Sequence, residues 1–383
     1  MSARLISPPE IILTTICIRR SRSILQFAMN SPLASSALGM VGQDSLQRIG
    51  FVATRICGTD GVSLEIGKWA DVLARLGHDC YYVAGRCDRP ESESFIIDEA
   101  DFAHPTILEL NVQCFGRRTR ARGLSEKIQD LTSLIKRRLY DAIDTHSLDL
   151  LIVQNALTIP LNIPLGLALV ELLAETRIPC IAHHHDFVWE RERFLVSCVE
   201  DYLRAAFPPR LPHIQHVVIN SLAGEEFSRR TGQSYSIVPN VMNFAHGPNP
   251  PDEFADDLRP ALGIQEDDLL VVQPTRVVQR KGIEHTLQLV RSLQDRNARL
   301  VITHSSDDEG TAYREHLRRF ASLIEVDVVF AEHVIGAERS HTDAGNKRFA
   351  IWDVYPQADL ITYPSTYEGF GNAFVESVYY RKP

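Results

Sequence analysis

The sequence lacks several features that would assign a protein to a well-defined class. Its seven cysteines are scattered and form no C-x-x-C pair, which argues against zinc ribbons and a disulfide framework and predicts a reducing, cytoplasmic location. No apolar run reaches the ~18 residues of a membrane span, so no transmembrane segment is predicted. Neither G-x-G-x-x-G nor G-x-x-x-x-G-K-[ST] occurs, which argues against a nicotinamide-dependent oxidoreductase and a P-loop.

The chain also lacks an excess of positive charge. Its 40 lysines and arginines are outnumbered by 49 aspartates and glutamates, so the formal net charge is −9 and nucleic acid is not an expected partner. Hydrophobic residues make up 44% of the 383 residues, which is enough for two sizeable cores. Nothing in the sequence indicates an oligomeric state.

Residues 1–49 form an extension that differs in composition from the rest. They are rich in arginine and serine and contain only the acidic residues Glu10 and Asp44. This composition is typical of an organellar transit peptide. We favour the simpler interpretation that the extension is disordered or that the start was assigned too far upstream.

From Gly50 onward, β-branched apolar runs alternate with amphipathic helical stretches. This alternation predicts an α/β protein whose parallel sheets are covered by helices on both faces. A Pro-rich break divides the alternation into a domain over 50–245, a linker over 246–260 and a domain over 261–383. Two doubly wound, Rossmann-like units are expected to face each other across a substrate cleft. We count about four strands in the second unit where five or six are usual, so this domain is expected to be truncated.

A basic motif follows the strand predicted over Leu269–Thr275. It places Arg276 and Lys281 at the carboxyl end of that strand, with Gly282 before the next helix. Arginine can bind a phosphate through two parallel hydrogen bonds and lysine supplies a point charge, so the pair suits a diphosphate without any metal. A solvated basic loop is the alternative.

An acidic motif, Glu368-Gly-Phe-Gly-Asn372, follows the last predicted strand, and Glu376 lies on the helix after it. Asn372 is predicted to cap that helix. Free N–H groups at a helix start attract an anion, and the two carboxylates suit hydroxyl groups of a ribose and a sugar. Alternatively, Glu368 and Glu376 are solvated side chains, or the acid/base pair of a glycosidase or phosphorylase.

The joint pattern, R-x4-K-G and about ninety residues later E-G-F-G-N-x3-E, resembles the retaining glycosyltransferases of family 4, which have the two-domain GT-B fold. The resemblance extends over roughly residues 50–383. It implies that Arg276 and Lys281 stabilise the departing diphosphate, that Glu376 binds the nucleotide ribose and that Glu368 lies beside the donor sugar. The other positions that it assigns to the donor are Gly369, Phe370, Gly371, Asn372, Val334 and Gly61.

The resemblance also assigns residues of the N-terminal domain. The loop Gly58-Thr-Asp-Gly61 matches a glycine-rich loop of the family, with Asp60 toward the acceptor, although a plain tight turn has the same pattern. The strand ending in His183-His184-His185-Asp186 places His185 against the donor sugar. Because adjacent strand residues point to opposite faces, the three histidines are not expected to share a metal. The further acceptor candidates are Asp186, Trp189, Arg191 and Arg193, for which a surface helix with Glu/Arg pairs is the alternative.

Within the family, the strings HHHDFVWERERF and NAFVESVYYRKP are most similar to enzymes of the mannosylglucosyl-3-phosphoglycerate synthase type. This similarity implies a hexose donor of the GDP-mannose or UDP-glucose type and a small anionic acceptor such as glucosyl-phosphoglycerate. Neither a metal nor another cofactor is expected. An inactive module that binds a nucleotide sugar without turnover stays open as an alternative.

Overall fold

The computed structural model describes residues 47–58, 61–240, 242, 244, 247–248, 250–293, 297–305, 311–336 and 338–383. The chain divides into two compact units, the first ending at Asn240 and the second beginning at Val241. This boundary lies slightly before the end predicted for the N-terminal domain at residue 245. Most of the predicted extension, residues 1–46, lies outside the described residues, as does Asp60.

The first unit contains one parallel sheet of seven strands. These are β1 (Arg48–Val52), β2 (Asp79–Ala84), β3 (Ser94–Ile96), β4 (Leu150–Gln154), β5 (Cys180–His184), β6 (Ile214–Val218) and β7 (Ser236–Ile237). Their order in the sheet is β3-β2-β1-β4-β5-β6-β7. β4 and β5 are buried along their whole length, as expected for a sheet that is covered on both faces.

Helices cover both faces of this sheet. They are α1 (Gly61–Arg75), α2 (Pro105–Cys114), α3 (Leu124–His146), α4 (Ile163–Thr176), α5 (Glu200–Ala206) and α6 (Ser221–Thr231). Leu151 of β4 packs in one core with α3 and α4, whereas Leu150 packs in the other core with Trp69 of α1. Leu76, which the periodicity predicts on the buried face of α1, is exposed because the helix ends at Arg75.

The second unit contains a parallel sheet and a smaller mixed one. Its strands are β8 (Leu269–Gln273), β9 (Ala298–Ile302), β10 (Val328–Phe330), β11 (Ile335–Gly336), β12 (Ser340–His341), β13 (Lys347–Ala350) and β14 (Leu360–Ile361). The parallel sheet has the order β10-β9-β8-β14. In the smaller sheet, β13 pairs in parallel with β11 and antiparallel with β12, an arrangement that the alternation did not predict.

The helices of the second unit are α7 (Leu258–Ala261), α8 (Ile283–Ser292), α9 (Ala312–Leu323), α10 (Ile351–Gln357) and α11 (Asn372–Tyr379). Leu258 is fully buried against Leu270 and Val354, so the end of the predicted linker belongs to the core of this unit. Within the described ranges, no helix combines the length and the apolar composition that a membrane crossing requires.

Candidate functional site

The basic and acidic motifs of the second unit meet beyond the carboxyl end of β8. The side-chain amide of Gln273, the last residue of β8, donates a 2.9 Å hydrogen bond to the Lys281 carbonyl and fixes the loop against the strand. Lys281 is only 9% exposed, and its Nζ donates to Oε1 of Glu368. Nη1 of Arg280 lies 3.3 Å from the other oxygen, Oε2. The structure therefore brings together Lys281 and Glu368, and it adds Arg280, which was not among the predicted site residues.

Burial and neighbouring charges act on both members of this pair. Burial lowers the pKa of Lys281, its pairing with Glu368 opposes that shift, and the positive charges of Arg280 and Arg276 lower the pKa further. The half-buried Arg276 thus lies within electrostatic reach of Lys281. Burial alone would raise the pKa of Glu368, but hydrogen bonding and attraction from Lys281 outweigh burial and hold that pKa below its ordinary value. Glu368 therefore carries its negative charge at neutral pH and opposes the loss of the proton from Lys281.

Gly282 allows the two motifs to approach this closely. Its φ of +59° is left-handed, and a Cβ atom there would lie 2.4 Å from the carbonyl oxygen of Pro364. Two residues further on, the Thr366 N–H donates a 2.9 Å hydrogen bond to the Arg280 carbonyl. A residue without a side chain is therefore required where the segment before Glu368 crosses the basic loop.

The prediction that Asn372 caps α11 is wrong. Gly371 is the N-cap residue with φ of +94°, and Asn372 is the first helical residue. A Cβ atom on Gly371 would lie 2.8 Å from the hydroxyl oxygen of Tyr363, so the cap is set by packing against this ring. Gly371 has no side chain to cap the helix, and the N–H groups of Phe374 and Val375 donate to its carbonyl. A helix start of this kind attracts an anion. Gly369 and Phe370, which precede the cap, are half-buried.

Glu376 is positioned by a tyrosine that the sequence did not indicate. The hydroxyl of Tyr355, on α10, donates a 2.5 Å hydrogen bond to Oε2 of Glu376. Tyr355 is 1% exposed and stacks on Tyr380 with ring centroids 4.9 Å apart. No local sequence pattern links these two positions, because they lie on different helices.

Val334 lies in the turn between β10 and β11, and its main chain is engaged within the fold. Its N–H donates to the Ala331 carbonyl at 2.9 Å, and its carbonyl accepts from the Phe349 N–H at 2.8 Å. A main-chain contact from Val334 to a base would therefore use the second lone pair of its carbonyl oxygen. Its assignment to the donor stays a prediction.

Of the three consecutive histidines of the first unit, two share one contact and the third makes a different one. Nδ1 of His183 and Nε2 of His185 each lie 2.9 Å from Oε1 of Gln154, and Nε2 of His184 lies 2.9 Å from Nδ1 of His216. Burial lowers the pKa of His183 and His184, and lowers that of His216 to about 4. In the part of the chain that the structure describes, no group of three or more histidine, cysteine, aspartate or glutamate residues could hold a metal ion.

Of the predicted acceptor residues after β5, Asp186 and Arg191 pair with each other, whereas Trp189 and Arg193 contact neighbouring aromatic rings. Asp186 accepts from Nδ2 of Asn155 at 2.9 Å and from Nε of Arg191 at 2.7 Å. Burial would raise the pKa of Asp186, but Arg191 and Asn155 lower it by more. Trp189 stacks on Phe187, with 4.5 Å between ring centroids. The exposed Arg193 lies over the ring of Phe194. Of the predicted glycine-rich loop, Gly61 is the exposed first residue of α1.

A cavity that sequence reasoning missed lies at the carboxyl ends of β1 and β4 in the first unit. Its volume is about 70 Å³. Its signal in the sequence is a pair of polar residues near the end of each strand. Thr54-Arg55 lies shortly after β1, and Gln154-Asn155 lies at the end of β4. Its lining residues are Ala53, Thr54, Arg55, Val62, Phe102, Gln154, Asn155, Ile159 and Leu161.

Comparisons with known proteins find similar sequences over most of the chain. Residues 254–383 match the family described as glycosyl transferases group 1. The chain is 32% identical over 364 residues to the mannosylglucosylglycerate synthase of Petrotoga mobilis, covering 88% of this chain and 81% of the relative. It is 31% identical over 349 residues to the enzyme of the same name from Thermotoga maritima, covering 85% and 76%.

The fold has counterparts among solved structures. The crystal structure of Anabaena Alr3699/HepE in complex with UDP-glucose aligns with a TM-score of 0.55 over 88% of this chain and 79% of that chain. At 14% identity this likeness shows the fold alone. It confirms the predicted GT-B architecture.

Proposed function

Because this chain belongs to the glycosyl transferases group 1 family and is a glycosyltransferase, we propose that it transfers a mannosyl group from a nucleotide-diphosphate mannose to glucosylglycerate, with retention at the anomeric carbon. The names of the two relatives support this acceptor, because they refer to glucosylglycerate. The motif resemblance alone had implied its phosphorylated form. We also propose a cytoplasmic location, which the cysteine spacing supports.

One observation carries the donor half of the proposal, namely the pair of the buried Lys281 and the half-buried Glu368 beside Arg280 and Arg276. When the bond between the sugar and the diphosphate breaks, the leaving group gains one negative charge. Fixed cations stabilise that charge more in the transition state than in the ground state, which accelerates the reaction. These cations take the place that a metal would otherwise fill, so the proposal requires none.

Donor binding would exchange the partners of this pair. Before the donor binds, Glu368 is the counterion of Lys281. A diphosphate competes for Lys281 and releases Glu368 to accept hydrogen bonds from sugar hydroxyls. Glu376, which Tyr355 holds in place, is proposed to accept hydrogen bonds from the ribose. The acceptor hydroxyl then attacks from the face that the diphosphate leaves, and a departing phosphate oxygen takes its proton, so no protein nucleophile is needed.

The proposal is tested by binding and turnover with the full chain. Thermal-shift measurements with GDP-mannose, GDP-glucose, UDP-mannose and UDP-glucose identify the donor, and incubation with glucosylglycerate follows. We expect one nucleoside diphosphate to be released per mannosylglucosylglycerate formed, with an α-linkage from an α-donor by NMR. Release of free sugar or of sugar phosphate would instead establish a glycosidase or a phosphorylase. Binding without turnover would establish an inactive module.

A further inference from the structure

We propose that Asn155, at the carboxyl end of β4, is a positioning residue that holds the Asp186 carboxylate in place for a hydroxyl group of the acceptor. Asp186 is a residue that the family resemblance assigns to the acceptor, so this inference rests on the proposed function. Asn155 lies outside the predicted set of site residues, and it acts through Asp186 without having to touch the acceptor itself.

The backbone of Asn155 has a conformation that is uncommon for a residue with a side chain. Its φ is +60°, in the left-handed region, which asparagine enters more readily than most residues other than glycine. The pairing of β4 with β5 extends to Gln154 and His183, and the Asn155 N–H adds a 3.0 Å hydrogen bond to the His183 carbonyl. The left-handed residue therefore stands where the main-chain pairing of the two strands ends.

The side chain of Asn155 extends the contact between the two strand ends. Its Oδ1 accepts a 3.2 Å hydrogen bond from the His185 N–H, and its Nδ2 donates a 2.9 Å hydrogen bond to Oδ1 of Asp186. These partners fix the orientation of the amide, because a backbone N–H only donates and an ionised carboxylate only accepts. Asn155 is 9% exposed, so both bonds are largely shielded from water.

The residue before Asn155 contacts the same segment. Nε2 of His185 and Nδ1 of His183 both lie 2.9 Å from Oε1 of Gln154. The buried Nε2 of Gln154 finds no hydrogen-bond acceptor among the described residues. Gln154 thus holds the ring of His185, whereas Asn155 holds the main chain of His185 and the carboxylate that follows it.

The carboxylate of Asp186 can accept a further hydrogen bond. Its Oδ2 accepts from Nε and Nη2 of Arg191, and its Oδ1 accepts from Asn155. The two oxygens of a carboxylate accept about four hydrogen bonds in all, so Oδ1 has room for a hydroxyl group as well. The side chain of Asp186 is 14% exposed, which lets a ligand reach it. Against the effect of burial, Arg191 and Asn155 hold the pKa of Asp186 low, so the carboxylate is charged at neutral pH.

Two substitutions separate the conformation of Asn155 from its contacts. Asn155→Gly keeps the left-handed conformation and removes both side-chain hydrogen bonds, so the variant is expected to fold while Asp186 loses its support. Asn155→Asp keeps an acceptor for the His185 N–H but sets a second carboxylate against Asp186. Repulsion between the two carboxylates raises the pKa of the pair. The other charged or titratable groups that act on Asp186 are Arg191 and His185, which both variants retain.

The test measures steady-state mannosyl transfer to glucosylglycerate. We expect Asn155→Gly to raise the acceptor KM about tenfold, the size typical of a misplaced charge-assisted hydrogen bond, and to leave the donor KM unchanged. The loss of kcat/KM for the acceptor should be the same at pH 6 and pH 8 in Asn155→Gly. In Asn155→Asp it should be larger at pH 6, where the carboxylate pair takes up a proton.

Asn297→Gly is the matched control. Asn297 also has a left-handed φ, of +49°, but it is exposed and belongs to the second unit. The same chemical change there should leave the acceptor KM and its pH dependence as in wild type. Thermal denaturation of all three variants establishes that each is folded.

Calorimetric titration with glucosylglycerate, without a donor, separates this inference from the proposed function. If no sugar is transferred but Asn155→Gly weakens the binding of glucosylglycerate about tenfold, the proposed function fails and this inference stands. If transfer proceeds and the folded Asn155 variants keep the wild-type acceptor KM at both pH values, the inference is overturned, even where stability falls. If the wild-type chain neither binds glucosylglycerate nor transfers sugar to it, both are overturned.

Discussion

Replacing Gly282 with alanine is expected to push apart the two segments that carry Lys281 and Glu368. The new methyl group would lie 2.4 Å from the Pro364 carbonyl oxygen, a backbone atom that cannot rotate away. Either the segment that leads to Glu368 shifts or the basic loop does. In both cases the ion pair lengthens.

The size of the effect has two parts. A left-handed conformation costs an alanine about 1–2 kcal/mol relative to glycine, and forcing a methyl group into a filled space adds about 1–3 kcal/mol. The free energy of unfolding should therefore fall by about 2–5 kcal/mol. Gly263 offers a matched control, because its φ of +70° is also left-handed but nothing lies within 4 Å of its missing Cβ. Gly263→Ala should therefore lose only the ~1–2 kcal/mol that the left-handed conformation costs.

Chemical denaturation of the two variants measures this difference, and thermal shifts with the donor measure its consequence for binding. Gly282→Ala should weaken donor binding about tenfold, because Lys281 and Glu368 no longer lie in register for the diphosphate and the sugar. Gly263→Ala should bind the donor as wild type does. Equal losses of stability in the two variants, with unchanged donor binding, would refute the requirement for close approach at Gly282.

Three further outcomes are expected. Lys281→Ala should lower kcat/KM by about 100-fold or more, because the leaving group loses a stabilising cation. Lys127→Ala breaks an exposed ion pair with Glu109 and should leave kcat/KM unchanged. An unchanged kcat/KM in Lys281→Ala would show that Lys281 is not part of the site. Glu376→Gln should raise the donor Kd about tenfold at a stability cost below about 1 kcal/mol, since its amide oxygen can still accept a hydrogen bond from Tyr355. Equal losses of binding free energy by calorimetry and of unfolding free energy by denaturation would indicate a structural role. Lowering the pH from 7.5 to 5 should destabilise the fold by about 2 kcal/mol through His216. Its buried ring has a pKa of about 4 and stays neutral, while the same side chain in the unfolded protein takes up a proton near pH 6.5. His216→Gln should remove this part of the pH dependence, and an identical pH dependence of stability in both proteins would contradict the reasoning.

Elements with a clear hydrophobic period were predictable from the sequence. The short apolar run over Cys180–His184 predicts a buried strand of a parallel sheet, and β5 has those bounds. Helix α6 was missed because it buries only Gly224 and Phe227, which is too few residues for an amphipathic pattern. β12 was missed because both of its residues are exposed and carry no alternation.

The site was predictable only where its residues form local motifs. The proximity of the Lys281 loop to the Glu368 loop was implied by the family resemblance, and the structure explains it because the two loops follow adjacent strands of one sheet. The hydrogen bond from Tyr355 to Glu376 did not follow from the sequence, because it depends on how two helices pack. The left-handed cap at Gly371 depends on contact with the Tyr363 ring, which a local capping preference for asparagine cannot anticipate. The unsatisfied amide of Gln154 likewise arises from side chains on neighbouring strands.

The strand order of the second unit has a consequence for biosynthesis. Lys281 is translated 87 residues before Glu368, and β8 is translated before every strand that flanks it. While the ribosome is still making those residues, the lysine has no carboxylate beside it and the loop after β8 cannot reach its final shape. The ion pair forms only when β14 docks against β8, so its appearance would report that this strand has joined the sheet.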